Sequence, residues 1–115
     1  MRIAMRMRRL LLVLPGALPL ATPAVADDLL KIELTIRDHS FTPAEVHVPA
    51  GKPALLTIRN EDPTPEEFDS SALHMEKVIT GGGIATIRLR PLGAGRFPFM
   101  GEYHPDTAQG VVVAE

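Results

Sequence analysis

The sequence predicts an all-β sandwich, and three observations carry that expectation. Lys31-Ile32-Glu33-Leu34-Thr35-Ile36-Arg37 alternates apolar and polar residues strictly, the period of a half-buried strand, and Ile84-Ala85-Thr86-Ile87-Arg88-Leu89-Arg90 alternates again. Further short apolar segments recur at near-regular spacing, separated by turns such as Pro49-Ala50-Gly51-Lys52 and Pro91 to Gly95. Few windows carry a helical period, and Glu66 to Met75 has room for a single turn at most. About seven to eight strands in one domain are expected.

Taken in order, the first strand puts Ile32, Leu34 and Ile36 on one face, and Asp38-His39-Ser40 turns the chain. Phe41 follows as a plug for the sandwich end, and Glu45 to Val48 forms a short strand with His47 on its outward parity. Ala54 to Asn60 is a third strand, with Leu56 and Ile58 inward. Lys77-Val78-Ile79 and the Ile84 segment come next. Phe97-Pro98-Phe99 follows, with Pro98 suited to an edge or a bulge, and Val111 to Val113 closes the domain.

The first 26 residues read as a secretory signal. Arg2, Arg6, Arg8 and Arg9 precede the apolar run Leu10 to Leu20, and Ala24-Val25-Ala26 offers a small-residue cleavage site. The run is too short and too interrupted by Pro15, Gly16 and Pro19 to span a bilayer, so no membrane insertion is expected after cleavage. Four of the twelve basic residues precede residue 27 and all fourteen acids lie at or after it. Residues 27–115, a single 89-residue domain, therefore carry eight basic against fourteen acidic groups, net −6. Such a surface disfavours nucleic acid and anionic lipid. An exported chain lies in a disulfide-permissive compartment, yet there is no cysteine, which removes thiolate chemistry of every kind. Gly81-Gly82-Gly83 lacks the Lys-Ser/Thr of a phosphate loop and reads as a turn. No serine has the flanking glycines of a nucleophile elbow.

Three segments together resemble the cupredoxins, the Greek-key sandwiches of the plastocyanins, azurins and amicyanins. They are Phe41-Thr42-Pro43 leading into Val46 to Lys52, the Asn60-Glu61-Asp62 motif, and Gly95 to Pro105 running on to Gly110-Val111-Val112-Val113. The resemblance implies that the loop after the third strand and the C-terminal loop meet at one end and carry metal ligands. On that alignment the cysteine position is Gly101, the axial methionine position is Ala108 or Gln109, and the first-histidine position is Glu66 or Glu67. Of the four ligands only His104 remains, so a blue copper centre, which needs a copper–thiolate bond, is excluded.

Acids and other donors stand where soft ligands are missing. Pro65-Glu66-Glu67-Phe68-Asp69-Ser70 and Gly101-Glu102-Tyr103-His104 are similar to a cysteine-poor branch of cupredoxin-like domains associated with periplasmic iron uptake. That resemblance implies a periplasmic protein that binds copper or iron, partners an iron permease or a periplasmic iron-binding protein, and assists oxidation of ferrous iron. The expected metal ligands are Glu67 and His104, converging from distant loops, with Glu66, Glu102 and Met100 as supports. Carboxylates with one imidazole suit Cu(II), Fe(II) or Fe(III). Two rival readings are a metal-free interaction module presenting its acidic loop to a permease, and a copper carrier using Met100, His74, Met75 and His104.

Overall fold

The alternating segments fold as their period requires. In the computed structural model, which describes residues 29–115 together with 4, 12–13 and 15–19, the described residues form nine strands in two sheets. The first sheet has the order β2-β1-β4-β7, from β1 (Leu30–Arg37), β2 (Ser40–Thr42), β4 (Ala54–Asn60) and β7 (Ile84–Leu89). The second has the order β3-β9-β8-β5-β6, from β3 (Glu45–Val48), β5 (Glu66–Ser70), β6 (Met75–Ile79), β8 (Gly95–Gly101) and β9 (Gln109–Ala114). β1 runs parallel to β4 with Leu34 opposite Ile58, and β3 runs parallel to β9 with Val46 opposite Val112. The other pairs are antiparallel.

Between the sheets lies one apolar core. Leu34, Ile36, Leu56, Ile58, Phe68 and Val112 are buried within it, and Phe41, Phe68 and Phe99 form an aromatic cluster at the middle. Phe41 meets Phe99 edge-on at 5.0 Å between ring centroids, and Phe68 lies 4.9 Å from Phe99. Edge-to-face contacts of this kind add to the burial of large rings. Gly110 lets the cluster fit, since a Cβ there would lie 2.3 Å from the Phe99 ring.

Nine strands rather than seven or eight follow from two segments. Ser40–Thr42, expected as turn and plug, is a strand of the first sheet paired with β1. Glu66–Ser70, expected to hold at most a helical turn, is strand β5. Its burial alternates, with Glu66, Phe68 and Ser70 inward. The hydropathy pattern hides this because two of those three inward residues are polar and find partners inside.

Pro98 also differs from expectation. It lies in β8, which is central to the second sheet rather than at its edge. β5 pairs with β8 only at Phe68–Gly101 and Asp69–Met100, so the strand stops short of Pro98. Ser70 Oγ bridges the gap, donating to the Pro98 carbonyl at 2.6 Å. The missing N–H therefore breaks no ladder bond. Gly81 to Gly83 do form a turn between β6 and β7. Among the described residues no helix is long and apolar enough to cross a membrane. Most of the expected signal peptide, residues 1–26, lies outside the described residues.

Candidate functional site

Four connections meet at one end of the sandwich: the β1–β2 turn, the β4–β5 and β6–β7 loops, and the β8–β9 loop. The Asn60-Glu61-Asp62 motif ties them together. Asn60, 1% exposed, donates from Nδ2 to the carbonyls of Thr64, Ile79 and Thr80 at 2.9, 3.2 and 3.3 Å. Its Oδ1 accepts the Asp62 N–H at 3.0 Å. Asp62 in turn accepts from the N–H groups of Asp38 at 2.8 Å and His39 at 3.0 Å. The bond from His39 is the main reason the Asp62 carboxyl lies below its ordinary range. Burial opposes the shift, while the Asp38 N–H and the nearby His39 and His104 imidazoles reinforce it.

The β8–β9 loop closes on itself around His104. The Gly101 and Ala108 backbones bond at 2.8 Å, and the His104 carbonyl accepts from Ala108 N–H at 2.9 Å. This presents the His104 ring to the end of β5, where Glu66 points inward. Glu66 Oε2 lies 2.5 Å from His104 Nδ1. Glu66 Oε1 accepts from the N–H groups of Glu67 at 3.1 Å and Tyr103 at 3.0 Å. The Glu66 side chain is 2% exposed and that of His104 27%. A buried carboxylate with two N–H donors and an imidazole partner is well satisfied, which is the condition for burying it without a large penalty.

Gly101 makes room for that carboxyl group. A Cβ at Gly101 would sit 2.6 Å from Glu66 Cδ, 2.8 Å from Glu66 Oε1 and 2.6 Å from the Ala108 Cβ. The positions that the cupredoxin resemblance assigns to the first histidine, the cysteine and the methionine are thus Glu66, Gly101 and Ala108, packed together, with His104 as the fourth. Ala108 is fully buried, whereas Gln109 is exposed with its amide on the Pro105 carbonyl.

Strand parity sends Glu67 the other way. Glu67 shares the outer face of the second sheet with Asp69, Met100, Glu76 and Glu102. Glu102 hydrogen-bonds Asp69, and this bond leads the causes that raise its carboxyl above the ordinary range. The Asp69 charge, desolvation, and the charges of Glu67 and Glu76 add to it. The expected convergence of Glu67 with His104 is therefore replaced by Glu66 with His104. Glu67, Glu102 and Met100 form a separate outer group. Among the described residues no group of three or more His, Asp or Glu side chains is arranged to hold a metal ion. His74 and Met75 lie past the far end of β5, with Met75 packed against the core, so they do not join His104. A pocket of about 270 Å³ opens between Asp69–Ala72 and Pro98–Met100, away from the Glu66–His104 pair.

His39 is the residue the sequence reading left in a turn. Its ring stacks on His104 at 3.5 Å between centroids, with 10° between planes. No spacing rule links the two; Asp62 holds the His39 backbone from one side and Thr107 of the β8–β9 loop from the other. His47 is exposed, as its parity implied.

The two sheets and the meeting of these loops define a cupredoxin-type sandwich whose ligand loop carries no thiolate. The chain matches the family described as Cupredoxin-like domain over residues 10–114, and it belongs to that family. It is 41% identical over 87 residues to an uncharacterised protein of Rickettsia prowazekii (strain Madrid E), covering 76% of this chain and 70% of the relative. The fold is similar to the metal-binding domain of the Cu(I)-exporting P-type ATPase CopA of Streptococcus pneumoniae D39. That match has TM-score 0.69 and 19% identity, covering 80% of this chain and 91% of that one. It is also similar to auracyanin A, a blue copper protein of Chloroflexus aurantiacus, with TM-score 0.65 and 12% identity over 75% and 98% of the two chains. At these identities the structural likeness shows the fold.

Proposed function

We propose that this is a periplasmic, exported metal-binding accessory of iron acquisition, which takes copper or iron transiently at its loop tip. Glu66 and His104 would hold the ion, while Glu67, Glu102 and Met100, on the outer face of the sheet, would take no part in it. The observation that carries this reading is the buried Glu66 carboxyl aimed at the His104 imidazole, where the resemblance places metal ligands. Oxygen and imidazole donors suit Cu(II) and iron and do not suit a blue centre. Oε1 of Glu66 is anchored by two N–H groups, so Oε2 can change partner without the side chain leaving its place.

As it stands the pair holds a proton. Two donors 2.5 Å apart are closer than two ligands of one ion with bonds of about 2.0–2.2 Å. Uptake would therefore be an exchange of ion for proton on a two-donor site. Such a site favours loading and release over permanent retention, which suits an accessory with iron as cargo. A partner such as an iron permease or a periplasmic iron-binding protein would complete the route.

Calorimetric titration of the purified domain with Cu(II), Fe(III) and anaerobic Fe(II) tests this. The expected result is stoichiometric uptake of at least one ion without an intense blue band, abolished in His104→Ala. Deletion in the host should lower uptake of radioactive iron. Absence of binding by all three ions would favour the second reading, a metal-free interaction module. The closed Glu66–His104 pair is the observation on its side.

A further inference from the structure

The β1–β2 turn is built at a conformational disadvantage and held there by other loops. It is a two-residue turn, since Arg37 pairs with Ser40, and both of its residues are left-handed, Asp38 at φ 50° and His39 at φ 57°. Two-residue hairpins of this kind favour Asn-Gly, because glycine reaches positive φ without a Cβ penalty. A histidine in that place needs compensation, and three bonds supply it. Asp62 accepts both turn N–H groups, and Thr107 Oγ1 donates to the His39 carbonyl at 2.5 Å. The partners come from the β4–β5 loop and the β8–β9 loop. Strained backbone held by distant partners marks places where a side chain must be aimed.

What His39 is aimed at is the face of His104. Glu66 fixes the edge of that imidazole by bonding Nδ1, but one hydrogen bond leaves the ring free to rock about it. A nearly parallel ring 3.5 Å away removes that freedom. We propose that His39 is a positioning residue for His104, setting the plane in which Nδ1 faces Glu66. This rests on the reading of Glu66 and His104 as the metal-exchange pair. The stacked geometry speaks against His39 as a ligand of the same ion. The in-plane lone pairs of two parallel rings run side by side and do not converge.

Two substitutions separate these roles. His39→Phe keeps an aromatic face without a donor atom, and His39→Ala removes the face. In the metal-free protein, nitrogen NMR of the His104 ring should show Nδ1 protonated and bonded in the wild type. That signature should average out in His39→Ala and return in His39→Phe. With Cu(II) as the probe, affinity should fall on the order of tenfold in His39→Ala, the effect of losing an outer support of a ligating histidine, and recover in His39→Phe. Wild-type ring resonances and affinity in His39→Ala would overturn the proposal. So would a loss in His39→Phe equal to that in His39→Ala with one fewer nitrogen in the copper EPR spectrum, which would make His39 a ligand. If the wild type takes up no Cu(II), the metal reading fails by itself, and the ring resonances alone decide the positioning role.

Discussion

Glu66 and Glu67 are neighbours in sequence, of the same type and on the same strand, yet they occupy different chemical worlds. Glu66 faces inward, buried, with its carboxylate bonded to two backbone N–H groups and the His104 ring. Glu67 faces outward among Asp69, Glu76 and Glu102, where like charges crowd. Strand period alone separates them, because successive side chains leave opposite faces. Identical side chains one residue apart are therefore not interchangeable candidates. One is part of the folded interior, and the other belongs to a solvated acidic surface.

The comparison breaks most visibly by truncation. Glu66→Ala strands the Tyr103 N–H and the His104 ring, and removing one partner of a buried pair costs about 3–5 kcal/mol. Glu67→Ala should stay within about 0.5 kcal/mol, as surface changes do. Urea unfolding of the two variants measures the contrast, and equal losses would erase the inner–outer distinction.

Refilling the seat sharpens it. Gly101→Cys alone drives a side chain into Glu66 and Ala108 and should cost about 1–3 kcal/mol as overpacking, without an intense colour on adding Cu(II). Glu66→His with Gly101→Cys supplies a thiolate and two imidazoles, the donor set of a blue site. A strong charge-transfer band is expected only in the double variant, read by absorption spectroscopy.

Asp62→Ala removes the acceptor of two turn N–H groups and should cost about 1–3 kcal/mol at neutral pH. Because the folded-state carboxyl is held below its ordinary value of 3.8, its contribution is present above that value. It disappears as pH falls through the lower folded value, so wild type and Asp62→Ala should converge in acid. Unfolding curves across the acid range test this.

The smallest effect belongs to the outer face. Glu102 is raised by its Asp69 bond and by like charges, so its ionised form opposes folding at neutral pH and its protonated form does not. Glu102→Gln should slightly raise the melting temperature at neutral pH and lose that advantage as pH falls. A destabilised Glu102→Gln would contradict the crowding.

Much of the fold could be read from the sequence because β1, β4 and β7 announce themselves through alternation with aliphatic inward residues. The Asn60–Asp62 motif and the C-terminal loop marked the tip where loops meet. β5 escaped because Glu66 and Ser70 are inward polar residues whose partners, His104 and the Pro98 carbonyl, lie 38 and 28 positions away. A signal was nevertheless present. Phe68 had to be inward, and its parity puts Glu66, not Glu67, on the same face. His39 had no such marker, since its place is set by an Asp62 side chain bonding to backbone, which leaves no pattern in hydropathy.

The account depends most on which of the two adjacent glutamates works with His104. Titrating Cu(II) into Glu66→Gln and Glu67→Gln, each a near-isosteric change, compares them directly. Loss of binding by tenfold or more in Glu66→Gln with a smaller change in Glu67→Gln is the predicted result. The reverse order, with Glu66→Gln unaffected, would contradict it.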